Sequence, residues 1–311
     1  MEEIAMDYIR APSRLHISLI DMEGSLGRVD GSMGVTLEEP CFEIGFEKAQ
    51  GVLGVEGETK RFVEGLCKKL GAKGIRIDLK KMIPAHVGFG SKTQLSLAIA
   101  SGICRTYGIK RNIRELAGLV GRGGTSGIGV AAFEQGGFIL DGGHDAGKGF
   151  VPSRYSNAAP APVLARYEFP WRLVCAWPKG QGAHGGAEKS IFEKNCPILP
   201  KEVGEVSRIV LMKMLPSVVE QRIDKFGESL NLVQKTGFKK IEVGLQTPQV
   251  RKLLALMQKS SAGAGMSSFG PVCFSPCETE SEAIDLARLI KKKFDANVIM
   301  TRANNTGARW L

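Results

Sequence analysis

Apolar and polar residues alternate from Tyr8 to Met22, with Ile9, Leu15, Ile17 and Leu19 set among Arg10, Ser13, His16 and Ser18. A period of two predicts a strand, on which Arg14 and His16 share a face. Gly24, Gly27 and Gly31 break the pattern. Residues 40–80 continue with one or two further strands, a helix from Glu58 to Leu70 stopped by Gly71, and a strand from Gly74 to Leu79. After Pro84 the period lengthens: Leu95, Ile99, Ile103 and Tyr107 recur at helical spacing up to Gly108, and Ser91 with Gln94 has the spacing of a capping box. Asn112 and Glu115 share that spacing at the head of a second helix, Asn112 to Val120. Phe138 to Leu140 reads as a strand that delivers Asp141, His144 and Asp145 to a loop.

The small, proline-rich run Ser156 to Pro162 marks a boundary, giving domains over 1–160 and 161–311. Beyond it, Trp171 to Trp177 reads as a buried strand, followed by a glycine-rich loop carrying Lys179 and His184, a candidate lid. Helices are predicted over Pro200 to Met214, Val218 to Val233, Pro248 to Ser260 and Ser281 to Phe294, with strands at Val272 to Ser275 and Asn297 to Thr301. Both halves mix strands and helices in blocks, so the fold class is α+β.

Composition narrows the picture. In 311 residues no apolar run approaches the roughly 20 needed to cross a bilayer. The acidic start MEEIAMDYIR lacks the apolar core of a signal peptide, which predicts a cytoplasmic protein. Seven scattered cysteines without a C-x-x-C pair read as reduced, mostly buried thiols. A net charge of +10 favours anionic partners, yet the basic residues are dispersed and aromatics make up only 7%, too few to build stacking platforms for nucleic acid. A polyanionic small substrate suits the charge at least as well.

Two glycine-rich segments carry the candidate chemistry. In Pro84 to Gly108 the turn at Gly88 and Gly90 lets backbone approach a ligand, the helix behind it directs unpaired N–H groups and a positive dipole end forward, and Lys92 adds a cation. An ordinary turn before a core helix is the competing reading. The second segment, Gly121 to Asp145, packs seven glycines before Ile139 and places Arg122 among them. Asp141 and Asp145 are candidate oxygen ligands for Mg2+ or Mn2+, against a reading of Asp141 as a hydrogen-bonded turn residue.

Pro84, Gly88, Phe89, Gly90 and Ser91 resemble the phosphate motif of the GHMP kinase superfamily, which includes galactokinase, homoserine kinase and mevalonate kinase. Gly263 to Gly270 resembles the third glycine-rich motif of those enzymes. Two departures stand out. Lys92 replaces a serine that helps hold magnesium-ATP, and Ser126-Gly127-Ile128-Gly129 has glycine where the kinases carry their catalytic aspartate. The chain is similar along nearly its full length to a non-kinase branch, the beta-ribofuranosylaminobenzene 5'-phosphate synthase family of methanopterin biosynthesis. That likeness lies in Pro12 to His16 with Asp21, Gly27 to Gly31, His86 to Ser91 and Gly121 to His144.

The resemblance implies a two-domain GHMP-kinase-like fold, with an N-terminal domain like part of a ribosomal protein and a ferredoxin-like C-terminal domain. It implies a decarboxylating phosphoribosyltransferase that joins phosphoribosyl pyrophosphate to p-aminobenzoate or 4-hydroxybenzoate, expelling carbon dioxide and pyrophosphate. Implied substrate contacts are Gly88, Gly90, Ser91, Lys92, Thr93, Gly124, Thr125, Ser126, Lys179 and His184. Catalytic roles are implied for Arg14, His16, Asp21, Arg122 and His144, with metal roles for Asp141 and Asp145. Small-molecule substrates, no nucleic-acid or membrane partner, and a homodimer complete the expectation. An ATP-dependent kinase and a basic nucleic-acid-binding module remain as rivals.

Overall fold

A computed structural model describes residues 6–146, 159–179 and 187–311, the last stretch without the side chains of residues 187–190. Its spine is β2 (Arg28–Lys48), a strand of 21 residues that is antiparallel to β1 (Asp7–Asp21) along its whole length. The glycines that break the alternation therefore mark the β1–β2 turn, not the end of the sheet. The C-terminal part of β2 pairs with β4 (Gly74–Lys81), beside which lies the short parallel strand β3 (Gly51–Leu53). Its N-terminal part pairs instead with β5 (Phe138–Asp141) and β6 (His144–Asp145). Next to β5 lies β7 (Val163–Tyr167).

Over this sheet pack α1 (Gly57–Leu70), α2 (Ser91–Tyr107), α3 (Ile113–Leu119) and α4 (Ile128–Glu134). Leu97 to Ala100, Gly102, Ile103 and Cys104 are all buried, so α2 is sheathed on nearly every side. Gly102 is needed there because a Cβ would lie 2.5 Å from the Phe46 ring. The predicted box on α3 is present: Asn112 Oδ1 accepts from Glu115 N–H at 2.8 Å, and Glu115 accepts from Asn112 N–H at 2.9 Å, a cap worth about 1 kcal/mol.

A second antiparallel sheet carries β8 (Arg172–Pro178) between β11 (Ala296–Arg302) and β10 (Cys273–Cys277), with β9 (Gly265–Met266) on the far edge of β10. Strand β8 is buried on both faces. Leu173, Cys175 and Trp177 join the core shared with the first sheet, whereas Val174 and Ala176 pack under α10 (Pro248–Lys259) and α11 (Glu280–Lys293). Between the strands run α5 (Ala187–Asn195), α6 (Pro200–Ile209), a π-helical turn Val210–Met214, α7 (Leu215–Val219), α8 (Ile223–Val233) and α9 (Gly237–Gly244).

The expected division at residue 160 shifts. Strand β7 still belongs to the first sheet, and β12 (Arg309–Trp310) returns to pair with β1. All seven cysteines are free, and six are buried. No helix among the described residues is long and apolar enough to cross a membrane.

Candidate active site

A cleft of about 670 Å³ opens where α1, α2 and the middle of β1 meet the turn after β9. One wall is the loop from Gly88 to Thr93. The sequence placed the α2 cap on Ser91; in the structure Gly90, at φ 74°, is the cap and Ser91 is the first helical residue. Gln94, expected to close the box, is buried and donates instead to the carbonyl of Gly129 at 2.7 Å. The first N–H groups of the helix and the Ser91 hydroxyl are thus not consumed by a side-chain cap.

Two anchors hold this loop. Arg14 donates from its backbone to Phe89 O at 3.1 Å and from Nη1 to Gly88 O at 2.7 Å. From the other side Ser267 Oγ also donates to Gly88 O, at 2.7 Å, while Val272 N–H donates to Val87 O at 3.0 Å. The approach leaves no space for side chains: a Cβ on Gly90 would sit 2.9 Å from Arg14 Nε, and one on Gly88, already at φ 111°, would sit 2.8 Å from Ser267 O. The first and third glycine motifs therefore form one structure, with Arg14 stacked behind it.

Lys92 and Arg122 complete the cationic end. Lys92 is exposed at the mouth, and Arg122 is partly buried with its Nε lacking any hydrogen-bond partner. Burial pushes the Arg122 guanidinium below its usual range, so an incoming anion would relieve an unpaid desolvation cost. Phe42, Phe62, Ile83 and Leu95 add apolar surface to the cleft, and Glu58 and Thr59 from the first turn of α1 also line it.

Several residues expected in the site serve elsewhere. Asp141 is completely buried and accepts from Ser32 N–H, Ser32 Oγ–H, Gly127 N–H and Gly143 N–H. Both its oxygens are used by the chain, so the metal role assigned to it gives way to that of a structural hub. Asp145 lies on β6, exposed and paired across the sheet with Arg28. Among the described residues no group of three or more His, Cys, Asp or Glu side chains is arranged to hold a metal. Asp21 caps the β1–β2 turn, accepting from Glu23 and Gly24 N–H at 2.8 and 2.9 Å. His144 does not line the cleft. Its Nδ1 lies 3.0 Å from Asp30 Oδ2 and its Nε2 lies 3.1 Å from Ala159 O. Burial opposes its charge, but the Asp30 carboxylate outweighs that and raises its pKa.

His16 lies beneath the third motif, accepting Ser268 N–H at its carbonyl and donating its own N–H to Ser267 Oγ. Its buried Nδ1 has no partner, and burial, with the charges of Arg14 and Lys239, holds the imidazole well below its ordinary range. It is a neutral packing residue, not an acid. Gly124, Thr125 and Ser126 lead into α4 behind the cleft, Ser126 Oγ lying 2.7 Å from Ser32 Oγ. Lys179 forms an exposed ion pair with Asp295 at 2.7 Å, outside the cleft. His184 and the candidate lid lie outside the described residues. Reading the sequence alone missed Phe42, Glu58, Phe62 and Ile83, which belong to three separate elements and carry no motif.

Glycine at position 129 has a structural reason. A Cβ there would meet Thr93 Cγ2 at 3.0 Å, so α4 packs closely against the head of α2 and a side chain at this position would need Thr93 to give way. The kinase carboxylate is absent.

Comparison with known proteins places this architecture. Residues 58–137 match the GHMP kinases N terminal domain and residues 214–296 the GHMP kinases C terminal family. The solved folds of homoserine kinase from Cytophaga hutchinsonii (TM-score 0.66, 15% identity, 100% of this chain and 99% of that one) and Methanococcus jannaschii mevalonate kinase (0.69, 11%, 97% and 100%) are similar throughout. In sequence the chain is 42% identical to beta-ribofuranosylphenol 5'-phosphate synthase of Methanothermobacter thermautotrophicus, covering 96% of this chain and 97% of that protein. The same enzyme of Archaeoglobus fulgidus is 40% identical, with 96% and 97% covered. The chain belongs to the beta-ribofuranosylphenol 5'-phosphate synthase family, a branch of the GHMP superfamily.

Proposed function

We propose that this protein condenses phosphoribosyl pyrophosphate with 4-hydroxybenzoate, releasing carbon dioxide and pyrophosphate and leaving a C-riboside 5'-phosphate in methanopterin biosynthesis. The observation that carries the reading is an intact phosphate cradle packed against a position 129 that has no carboxylate. Polyanion binding is kept; the means of deprotonating a kinase substrate is not. The relatives are named for a phenol product, which favours 4-hydroxybenzoate over p-aminobenzoate as acceptor.

The pyrophosphate lies against the Gly88–Thr93 turn, where helix N–H groups, Ser91 and Lys92 stabilise the charge that grows as the C1–oxygen bond of the ribose breaks. Arg122 takes a second anion, the 5'-phosphate or the benzoate carboxylate. Positive charge on the ribose carbon then draws the ring carbon that bears the carboxylate. Carbon dioxide leaves as aromaticity returns.

A divalent ion fits this site only as a companion of the substrate. Ser91 and Thr93 line the cleft, and its one lining carboxylate is Glu58, so Mg2+ would take most of its ligands from pyrophosphate and water. Bound so, the ion would help neutralise the leaving group. Seven free thiols suit the reducing cytoplasm in which we place the reaction.

Carboxyl-labelled 4-hydroxybenzoate tests the assignment directly. Labelled carbon dioxide and pyrophosphate should appear in equal amounts without ATP, and p-aminobenzoate should give a lower kcat/KM. ATP consumption with a small alcohol and no labelled gas would return the protein to the kinases.

A further inference from the structure

The cleft holds three cations, Arg14, Lys92 and Arg122, and a single carboxylate, Glu58. That carboxylate is exposed in the first turn of α1 and makes no hydrogen bond or ion pair with any described residue. The same cleft is walled by Phe42, Phe62, Ile83 and Leu95, of which Phe42 and Ile83 are fully buried and therefore fixed. The cleft thus combines cations, an apolar wall suited to a flat ring and an unpaired proton acceptor.

We propose that Glu58 is a catalytic residue for the aromatic acceptor: its carboxylate takes the proton of the ring hydroxyl while the ring lies along Phe42, Phe62, Ile83 and Leu95. The proposal rests on the synthase reading and deepens it. In 4-hydroxybenzoate the hydroxyl and the carboxylate stand at opposite ends of the ring. A ring whose carboxyl-bearing carbon faces the ribose at the phosphate loop therefore sends its hydroxyl away from the loop, where the one carboxylate lining the cleft, Glu58, is the group available to receive its proton.

The electron balance explains why a base is wanted there. As the ribose carbon loses pyrophosphate, the ring carbon bearing the carboxylate forms the new carbon–carbon bond, and positive charge spreads to the hydroxyl oxygen. Glu58 takes that O–H proton, leaving a neutral dienone that still bears the carboxylate. The bond to the carboxylate then breaks, its electron pair restores the aromatic ring as a phenolate, and carbon dioxide departs. The phenolate recovers its proton from Glu58. No external oxidant, reductant or net proton is needed.

Glu58→Gln keeps size and removes the basicity, and an exposed first-turn site tolerates it without loss of fold. With the wild type active in labelled carbon dioxide release, the variant should lose roughly 100-fold or more in kcat, as expected for a general base. The KM for phosphoribosyl pyrophosphate should stay unchanged. Part of the loss should return at alkaline pH, and with a ring-fluorinated 4-hydroxybenzoate, whose hydroxyl ionises unaided. A kcat within threefold of wild type would overturn the assignment, as would a loss cured by excess Mg2+, which would make Glu58 a metal ligand. If the wild type releases no labelled gas, the synthase reading falls and this proposal with it.

Discussion

Arg14, Lys92 and Arg122 are all cations in one cleft, but they do different things. Arg14 is built into the loop through Gly88 O at 2.7 Å, whereas Lys92 is exposed on the first turn of α2. Replacing Lys92 by Met keeps most of the stem and removes the charge. Calorimetric titration should show roughly tenfold or weaker donor binding, the consequence of losing one charge-assisted contact of about 1.5 kcal/mol, with the melting temperature unchanged. Asp141 should behave in the opposite way. Asp141→Asn places an amide donor against Ser32, Gly127 or Gly143 N–H, leaving buried groups unpaired at a cost of about 1–3 kcal/mol. The expected result is a lower melting temperature, with the response of activity to added Mg2+ the same as in the wild type; a changed response would restore its metal role. Sequence placed Asp141 next to glycines and a histidine, which looks the same for a ligand and for a hub. Only the four donors around it distinguish them.

At the scale of elements, the pattern of apolar positions located α1, α3, α10 and α11 well, because each buries one face and is marked at one end: Gly71 stops α1, and Asn112, Thr247 and Thr279 cap α3, α10 and α11. It failed where tertiary contacts replace local ones. Ser91 and Gln94 have the spacing of a cap, but Gln94 is drawn to Gly129 O across the α2–α4 contact, and the left-handed Gly90 caps instead. Helix α9 was not read at all, since its buried face includes Lys239 and Glu242, an ion pair at 2.6 Å that no hydrophobic pattern reveals. Lys239 also donates to Ser268 O at 3.1 Å, supporting the turn against which His16 packs. This unit has a pH signature. His16 is held well below the ordinary value of 6.5, so as pH falls under 6.5 the unfolded chain takes up a proton that the native state refuses. Its contribution is complete above 6.5 and is lost as pH falls towards the folded value, at most about 1.4 kcal/mol per pH unit. His144, shifted upwards, acts only above 6.5, where stability falls as pH rises. Comparing wild type with His16→Asn from pH 7 to 5 isolates the effect. The stability difference between the two should shift against the wild type as pH falls; a constant difference would mean that His16 titrates in the folded protein as it does in the unfolded chain.

The whole molecule is tied together more closely than a split near residue 160 suggests. After β11 the chain returns to the first sheet: Asn304 N–H donates to Thr36 O at 3.0 Å and its carbonyl accepts from Gly137 N–H at 2.8 Å. Strand β12 then pairs Trp310 with Ile9, and Leu311 N–H donates to Tyr8 O at 2.8 Å. Trp310 meets the edge of Phe46, with ring centres 6.3 Å apart, and lies under the Arg105 guanidinium at 4.5 Å. The main core also crosses the sequence boundary. Phe138 from β5 packs against Phe169 and against Phe226 of α8, at centroid distances of 6.5 and 6.2 Å. The cleft depends on this union, since its loop is held by Arg14 from the first sheet and Ser267 from the turn after β9. Two halves sharing one core and one returning strand should unfold together. Scanning calorimetry should therefore give one transition for the wild type. Trp310→Ala should lower that transition by a few degrees, for a loss of about 1–2 kcal/mol from a half-buried aromatic, while keeping it single and weakening donor binding only near the new melting temperature. If the variant instead shows two transitions, with the phosphate loop lost in the first, β12 is the clasp between independently stable halves, and the shared core contributes less than its packing indicates.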